Sequence, residues 1–149
     1  MRQQYDAVIV GAGLAGCTAA ILFGKKGARV ALIDRNPDPG AYKKICTHFI
    51  QASASPVIDS LGLCNLIEEA GGLKNYGEFW TKWGWIREPA NSRRYGYNIR
   101  RETLDPLLRK LAINAPGVDA FLGYALRDLL TDQARTVGAG AVRNLVGIR

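Results

Sequence analysis

Apolar residues form two strand-like runs and one helical segment near the start of the chain. Ala7 to Val10 is a short apolar run rich in β-branched residues, which is typical of a buried strand. A helical pattern runs from Leu14 to Lys26 and ends near Gly27. A second apolar run covers Arg29 to Ile33 and stops at Asp34. This order predicts one βαβ unit of about 30 residues, the size expected for a dinucleotide-binding unit.

Three glycines separate the first strand from the helix in the spacing Gly-x-Gly-x-x-Gly. Gly11 allows a tight turn out of the strand, Gly13 lets a pyrophosphate approach the backbone, and Gly16 lets the helix pack close to the strands. The helix that begins with Leu14 and Ala15 offers free N–H groups and a positive dipole end. These five residues are the predicted contacts of the phosphates.

Asp34 lies at the end of the second strand, where an acidic side chain about 20 residues beyond the glycines is expected to accept hydrogen bonds from a ribose. The agreement of strand, glycines, helix and acid favours a dinucleotide site over a glycine-rich turn in an unrelated α/β protein. A secretory signal is a second alternative, because residues 14–17 resemble a lipoprotein cleavage site. Asp6 and the interrupting glycines argue against it. The βαβ unit alone does not discriminate FAD from NAD.

The rest of the chain predicts both helices and strands. The predicted helices begin at Ser55-Pro56 and cover Cys64 to Ala70 and Glu102 to Asn114. The predicted strands cover Val118 to Phe121, Tyr124 to Leu130 and, as a loose meander, Thr136 to Arg149. The buried stripe of the last helix is expected to consist of Leu104, Leu107, Leu108 and Leu111. The strand from Val118 is expected to be a third parallel member of the sheet.

From Glu78 the pattern changes to a period of two with many aromatic residues. One face of the predicted strand carries Phe79, Thr81, Trp83 and Trp85, and the other carries Trp80, Lys82, Gly84 and Ile86. A turn over Arg87 to Ser92 and a returning strand over Arg94 to Ile99 complete a predicted hairpin at residues 78–99. An aromatic strand face is more often sheet packing than a ligand wall. Since the sequence offers this hairpin no partner sheet, we expect its three tryptophans to be exposed and to favour self-association.

Composition and charge narrow the class of protein. The 149 residues are 48% hydrophobic and 22% charged, the balance of an ordinary globular domain. No apolar run reaches the ~18 residues of a membrane span, so none is expected. The net charge of +7 is scattered along the chain, and an anionic dinucleotide explains it better than a nucleic acid does. Cys17, Cys46 and Cys64 show no metal spacing, so we expect reduced thiols, no metal and a cytoplasmic protein.

The segment after Asp34 carries further candidate residues. Lys43 and Lys44 follow a nucleotide site and are as consistent with phosphate contact as with a solvated loop. Cys46 and His48 are candidates for facing a redox centre, although a packed or surface role is commoner for either residue type.

Three blocks of sequence support a family resemblance that covers nearly the whole chain. The first block is the βαβ unit with its terminal Asp34-Arg35, and the second is Lys44-Ile45-Cys46 leading into Leu61-Gly62-Leu63. The third block is Arg101-Glu102-Thr103-Leu104-Asp105. Together they resemble the flavoprotein aromatic hydroxylases and their relatives, the geranylgeranyl reductases and the flavin-dependent halogenases.

The resemblance implies an α/β fold with FAD as the cofactor. It implies a Rossmann-like βαβ dinucleotide-binding domain over residues 1–149, expected to be incomplete, and a β-hairpin at residues 78–99 from a substrate-side sheet. Arg35 follows the ribose-binding acid, and Lys44, Cys46 and Arg101 are the residues implied near the ribityl and flavin end.

The function implied is the FAD-binding portion of a flavin-dependent oxidoreductase. The monooxygenase type is favoured, with NAD(P)H, O₂ and a small hydrophobic or aromatic substrate in the complete enzyme, and the 149 residues alone are expected to be an inactive fragment. One alternative is a geranylgeranyl-reductase-like flavoprotein that saturates a double bond, and another is a non-catalytic nucleotide-binding module. No side chain has the setting of a general acid or base, so no catalytic residue is predicted.

Overall fold

A computed structural model of the chain describes residues 4–87 and 95–143. The described helices are α1 (Leu14–Lys25), α2 (Ser55–Leu61), α3 (Cys64–Glu69) and α4 (Arg101–Ile113). The described strands are β1 (Ala7–Val10), β2 (Val30–Asp34), β3 (Phe49–Ile50), β4 (Leu73–Asn75), β5 (Glu78–Thr81), β6 (Gly84–Arg87), β7 (Gly96–Asn98), β8 (Val118–Leu122), β9 (Tyr124–Asp132) and β10 (Arg135–Arg143). The chain divides into two compact units, Met1–Tyr42 with Asp105–Arg149, and Lys43–Leu104.

A parallel three-stranded sheet in the order β1-β2-β8 organises the first unit. In its register Val8 lies opposite Ala31, and Leu32 lies opposite Ala120. The central strand β2 is almost wholly buried, with Val30 and Leu32 fully inaccessible to solvent, which explains its continuous apolar sequence. The predicted βαβ unit and its third parallel member are therefore confirmed.

Helix α1 connects β1 to β2 and packs against the sheet at very close range. A Cβ on Gly24 would lie 2.2 Å from the carbonyl oxygen of Pro116, so only glycine permits this approach. Cys17, Ala20 and Ile21 lie on the buried face of the helix. Gly24 thus sets the short distance between α1 and the loop that precedes β8.

The buried face of α4 differs from the predicted leucine stripe. Leu104, Leu108 and Ala112 are buried, whereas Leu107 and Leu111 are only half-buried. The buried face also contains the two charged residues Asp105 and Arg109. The spacing of the leucines predicted a buried face of α4 that differs slightly from the observed one. The difference arises because Arg109 is buried and donates to backbone carbonyl groups, which the spacing of apolar residues does not reveal.

The end of the described chain is one antiparallel hairpin formed by β9 and β10. Its two-residue turn places Gln133 and Ala134 at positive φ. The structure thus extends the strand predicted over Tyr124 to Leu130 as far as Asp132, and it pairs that strand with the stretch from Arg135 to Arg143, for which a loose meander from Thr136 was predicted. Residues 144–149 of that meander lie outside the described residues.

The second unit contains an antiparallel three-stranded sheet in the order β3-β7-β4, together with α2 and α3. Tyr97 of β7 is fully buried and donates its hydroxyl to Glu68 at 2.7 Å. Pro56 lies in the first turn of α2, as predicted. Ser55 is not the N-cap that was predicted, because its hydroxyl donates to the carbonyl of Tyr95 and a short 3₁₀ turn precedes the helix.

The aromatic hairpin is shorter than predicted. β5 pairs with β6 through a turn at Lys82 and Trp83, and Gly84 supports that turn with a φ of +118°. The predicted returning strand is instead β7, which pairs with β3 and β4. The turn interrupts the alternation that predicted Trp80 and Trp85 on different faces. The two residues instead form a cross-strand pair on the same face of the hairpin, with ring centroids 5.3 Å apart.

The three tryptophans of the β5–β6 hairpin are exposed, which confirms that expectation. The exposed fractions are 66% for Trp80, 84% for Trp83 and 53% for Trp85. In the described part of the chain, no helix combines the length and the apolar character that a bilayer crossing requires.

Candidate dinucleotide-binding site

The glycine turn, which we define as residues 11–16, lies between β1 and α1. Gly11 has a φ of +104°, a conformation that side chains with a Cβ rarely adopt. A Cβ on Gly16 would lie 1.9 Å from the carbonyl oxygen of Gly11. Backbone conformation therefore requires the first glycine, and packing between the turn and the helix requires the last.

Neither the backbone conformation nor the packing requires a glycine at position 13. Its φ is −82°, which any residue can adopt, and a Cβ there would have no protein atom within 4 Å. Among the described glycines, no other combines an ordinary backbone conformation with open space around the added Cβ. The fold does not explain Gly13, whereas a ligand that must approach its backbone would.

The start of α1 presents its donors beside Gly13. The first helical hydrogen bond runs from Cys17 N to the carbonyl of Gly13 at 2.9 Å, so the N–H groups of Leu14, Ala15 and Gly16 have no acceptor within the helix. No acidic residue lies in the first turn and no side chain caps it. The positive end of the helix dipole thus has no carboxylate in its own first turn, an arrangement that favours an anion.

Asp34 is held against the glycine turn. One carboxylate oxygen accepts a hydrogen bond from Ala12 N at 2.6 Å, and the other accepts one from Asn36 N at 2.7 Å. Each carboxylate oxygen has two lone pairs, so both retain an acceptor position for a further donor. The acid therefore fixes the turn and still has the capacity to bind hydroxyl groups.

Arg109 of α4 is a candidate site residue that the sequence did not reveal. It is 6% exposed, and its Nε donates to the carbonyl of Ala12 at 3.2 Å. Its Nη1 donates to the carbonyls of Pro39 and Ala41. No motif signals an arginine 97 positions away from the glycine turn, and the predicted buried stripe of α4 contained only leucines.

Cys17 lies on the inner side of the glycine turn. Its Sγ donates to the carbonyl of Ala12 at 3.3 Å, and the side chain is 1% exposed. Burial raises the pKa of the thiol to about 11, although the nearby Arg109 charge acts in the opposite direction. Cys17 is therefore a neutral packing residue at ordinary pH.

The second unit brings together a different pair of the predicted residues. Arg101 lies with a guanidinium nitrogen 3.7 Å from Cys46 Sγ, and its backbone N–H donates to His48 Nδ1 at 3.3 Å. A backbone hydrogen bond from His48 and the contact with Arg101 lower the pKa of the Cys46 thiol. Lys44 is an exposed loop residue of this unit.

The predicted residues thus fall into two groups. Gly11, Gly13, Leu14, Ala15, Gly16 and Asp34 share one region of the first unit, with exposed Arg35 following Asp34 in sequence. Cys46 and Arg101 are in contact within the second unit. All three cysteines of the chain are free thiols.

Comparison with known proteins shows which proteins this chain is similar to. The family model described as an NAD(P)-binding Rossmann-like domain matches residues 9–44. Tryptophan 2-halogenase from Chondromyces crocatus is 31% identical over 136 residues, which cover 89% of this chain and 25% of that protein. Digeranylgeranylglycerophospholipid reductase from Picrophilus torridus is 28% identical over 145 residues, 97% of this chain and 36% of that protein.

A solved structure shows the same fold over nearly the whole chain. The myxobacterial chondrochloren halogenase CndH, described as a new variant of FAD-dependent halogenases, superposes with a TM-score of 0.77 at 25% identity, covering 97% of this chain and 34% of that one. The resemblance to FAD-dependent oxidoreductases is confirmed. So is the Rossmann-like α/β fold. The chain spans 25% and 36% of the lengths of the two curated relatives.

Proposed function

We propose that this chain is the FAD-binding portion of a flavin-dependent oxidoreductase. In this proposal the glycine turn holds the diphosphate: Gly11 shapes the turn, Gly13 admits the phosphates, and the N–H groups of Leu14, Ala15 and Gly16 bind them. When bound, FAD supplies the redox chemistry, while the protein supplies position and electrostatics.

The proposal rests on one observation: neither the backbone conformation nor the packing of the fold explains why position 13 is a glycine. A valine or any other residue would satisfy its φ of −82°, and the space above it is open. A residue that neither conformation nor packing restricts to glycine is expected where a ligand approaches the backbone. The neighbouring helix start, with no carboxylate in its first turn, fits an anionic group at the same place.

The adenosine end of the cofactor is assigned to Asp34 and Arg35. The Asp34 carboxylate retains acceptor capacity beyond its two backbone donors, which suits the hydroxyl pair of a ribose. Arg35 is exposed immediately after it, and we assign it to the same end of the ligand.

The flavin end is assigned to Lys44, Cys46 and Arg101 on the basis of the family resemblance. The contact of Arg101 with Cys46 supports a shared role for these two residues. Arg101 would approach the ribityl chain and phosphates, and Lys44 would add a positive charge on a loop. Cys46, with its lowered thiol pKa, would lie toward the redox end.

For the complete enzyme we propose the oxygen-activating, monooxygenase type, with NAD(P)H as the reductant and a small hydrophobic or aromatic substrate. The similarity to tryptophan 2-halogenase, named for an aromatic substrate, supports this class. Similarity over 97% of the chain to digeranylgeranylglycerophospholipid reductase favours, as a second candidate, a flavoprotein that saturates double bonds.

FAD and NAD are distinguished by a direct titration of the purified chain. Isothermal titration is carried out with FAD, NAD and NADP, together with an absorbance spectrum of the protein as purified. The proposal predicts binding of FAD in preference to NAD, and flavin absorbance in FAD-loaded protein after gel filtration. Binding of NAD alone would contradict the FAD assignment. Such a result would agree instead with the matching family model, which is described as NAD(P)-binding. Binding of no dinucleotide would contradict the site itself.

A further inference from the structure

Arg109 is a buried cation whose contacts are backbone carbonyl groups. It is 6% exposed, and three carbonyls accept its hydrogen bonds: Ala12, Pro39 and Ala41. Among the described residues, no ion pair connects it to a carboxylate. A buried charge is costly unless it is compensated, and here the three carbonyl dipoles act together with the carboxylates of Asp34 and Asp105, whose charges reach the same buried thiol of Cys17 as that of Arg109. The fold therefore keeps the Arg109 guanidinium directly behind the glycine turn.

The hydrogen bond to Ala12 determines the direction of a neighbouring donor. The peptide between Ala12 and Gly13 is planar and trans, so its C=O and its N–H point in opposite directions. Arg109 holds the Ala12 oxygen toward the protein interior, where Ala12 itself is 1% exposed. The N–H of Gly13 must then point away from the interior, and Gly13 is exposed.

Both backbone polar groups of Ala12, its N–H and its C=O, are hydrogen-bonded to side chains. Its N–H donates to Asp34 at 2.6 Å, and its C=O accepts from Arg109. Neither peptide group that flanks the residue can rotate without breaking one of these bonds. The turn is consequently fixed before any ligand arrives, and fixed donors bind an anion without an ordering cost.

The guanidinium also joins the turn to the segment that follows β2. One nitrogen donates to Ala12, while Nη1 donates to Pro39 and Ala41. Several donors in a planar fork are needed for this arrangement, which a lysine ammonium cannot reproduce in the same geometry.

We propose that Arg109 is a positioning residue of the dinucleotide site, which holds the Ala12 carbonyl and so aims the Gly13 N–H at the diphosphate. This inference rests on the proposed dinucleotide site. It assigns a role to a side chain that lies outside the glycine turn and outside the block Arg101 to Asp105, which carries the third part of the family resemblance.

The test compares two variants that lose the same charge. Arg109→Gln removes the buried cation, and Lys110→Gln removes an exposed one at the next position of α4. FAD affinity is measured by isothermal titration, and the backbone amide signal of Gly13 is followed by NMR during the titration. Arg109→Gln is expected to weaken FAD binding about ten- to a hundredfold, the range for losing hydrogen bonds to a charged group. Lys110→Gln is expected to leave it unchanged.

The Gly13 signal separates positioning from simple stabilisation. In the native chain we expect a large FAD-induced shift of this amide, which should be reduced in Arg109→Gln even at saturation. A lower melting temperature with unchanged FAD affinity and an unchanged Gly13 shift would overturn the inference. If Arg109→Gln does not fold, Arg109→Lys carries the same comparison: weakened FAD binding supports the inference and native affinity overturns it. Failure of the native chain to bind FAD would instead contradict the proposed function.

Discussion

The carboxylate of Asp34 accepts a hydrogen bond from the backbone N–H of Ala12 at 2.6 Å, across 22 positions of sequence. This bond connects the end of the second parallel strand to the middle of the glycine turn. The acidic residue at this position therefore has two tasks in the account given above, since it fixes the turn and also offers its remaining lone pairs to the ribose.

The first prediction concerns the removal of this carboxylate. Asp34→Ala should weaken FAD binding by about 1–3 kcal/mol, the range for lost hydrogen bonds to a charged group, because both the ribose acceptor and the tether to Ala12 disappear. Isothermal titration measures the change, and Asp132→Ala, at the exposed end of β9, is the control. Native affinity in Asp34→Ala would contradict the role, as would equal affinity of the native chain for NAD and NADP.

The second prediction concerns thiol reactivity. Cys46 should be alkylated well before Cys17 at pH 8, since the Cys46 thiol pKa is lowered by His48 and Arg101 while burial raises that of Cys17. Mass spectrometry after brief exposure to iodoacetamide identifies the modified residue. Arg101→Ala should slow the alkylation of Cys46, and an unchanged rate would show that the contact does not activate the thiol.

The third prediction concerns stability at high pH. The folded-state pKa of Cys17 is about 11, against 9.0 for an ordinary thiol. Below pH 9 both states keep the proton, but between pH 9 and 11 the unfolded state ionises first and gains stability. The Cys17 contribution to folding should therefore be lost as the pH rises through this window.

Melting temperatures between pH 8 and pH 11 measure this effect. Because tyrosines and lysines also titrate there, the relevant quantity is the difference between the native chain and Cys17→Ala, with Cys46→Ala as the matched cysteine control. The decline should be shallower in Cys17→Ala than in the native chain. Parallel curves for the two proteins would contradict the proton-linked role of Cys17.

The fourth prediction concerns the aromatic hairpin. Trp80 and Trp85 form one exposed aromatic pair, and Trp83 is exposed at the turn. A patch of this kind favours self-association, so the chain should sediment partly as a dimer or larger species at high concentration. The double variant Trp80→Ser with Trp85→Ser should be more monomeric in analytical ultracentrifugation while it retains native FAD affinity. An unchanged distribution would exclude the hairpin as the contact.

The parts of the fold that follow from local pattern were predictable. The apolar runs, the glycine spacing and Asp34 defined β1, α1 and β2 to within one residue at each end, because each element there follows its local propensity and its own period. The parallel strand β8 was predictable for the same reason, since it is a short apolar run that follows a helix and a proline-glycine stop.

The remaining errors arose where a turn or a distant partner overrides the local pattern. The turn at Lys82 and Trp83 occurs inside a run that alternates like one continuous strand, and Gly84 at positive φ is its only local signal. β7 finds its partners in β3 and β4, which no local feature indicates. Arg109 was missed in the same way, because its acceptors are main-chain carbonyls, which carry no residue-type signature.

The central claim is that the open backbone at Gly13 is where a dinucleotide diphosphate binds, and a titration of Gly13→Val with FAD tests it most directly. The Cβ of the substituted side chain has room in the folded chain, since no protein atom lies within 4 Å of it, and the side chain occupies the space of the phosphates. Gly16→Val serves as the structural comparison and should lose the fold, because its Cβ would clash with Gly11. The account predicts a native circular dichroism spectrum and melting temperature for Gly13→Val together with the loss of measurable FAD binding. Unchanged FAD affinity in a folded Gly13→Val chain would contradict it.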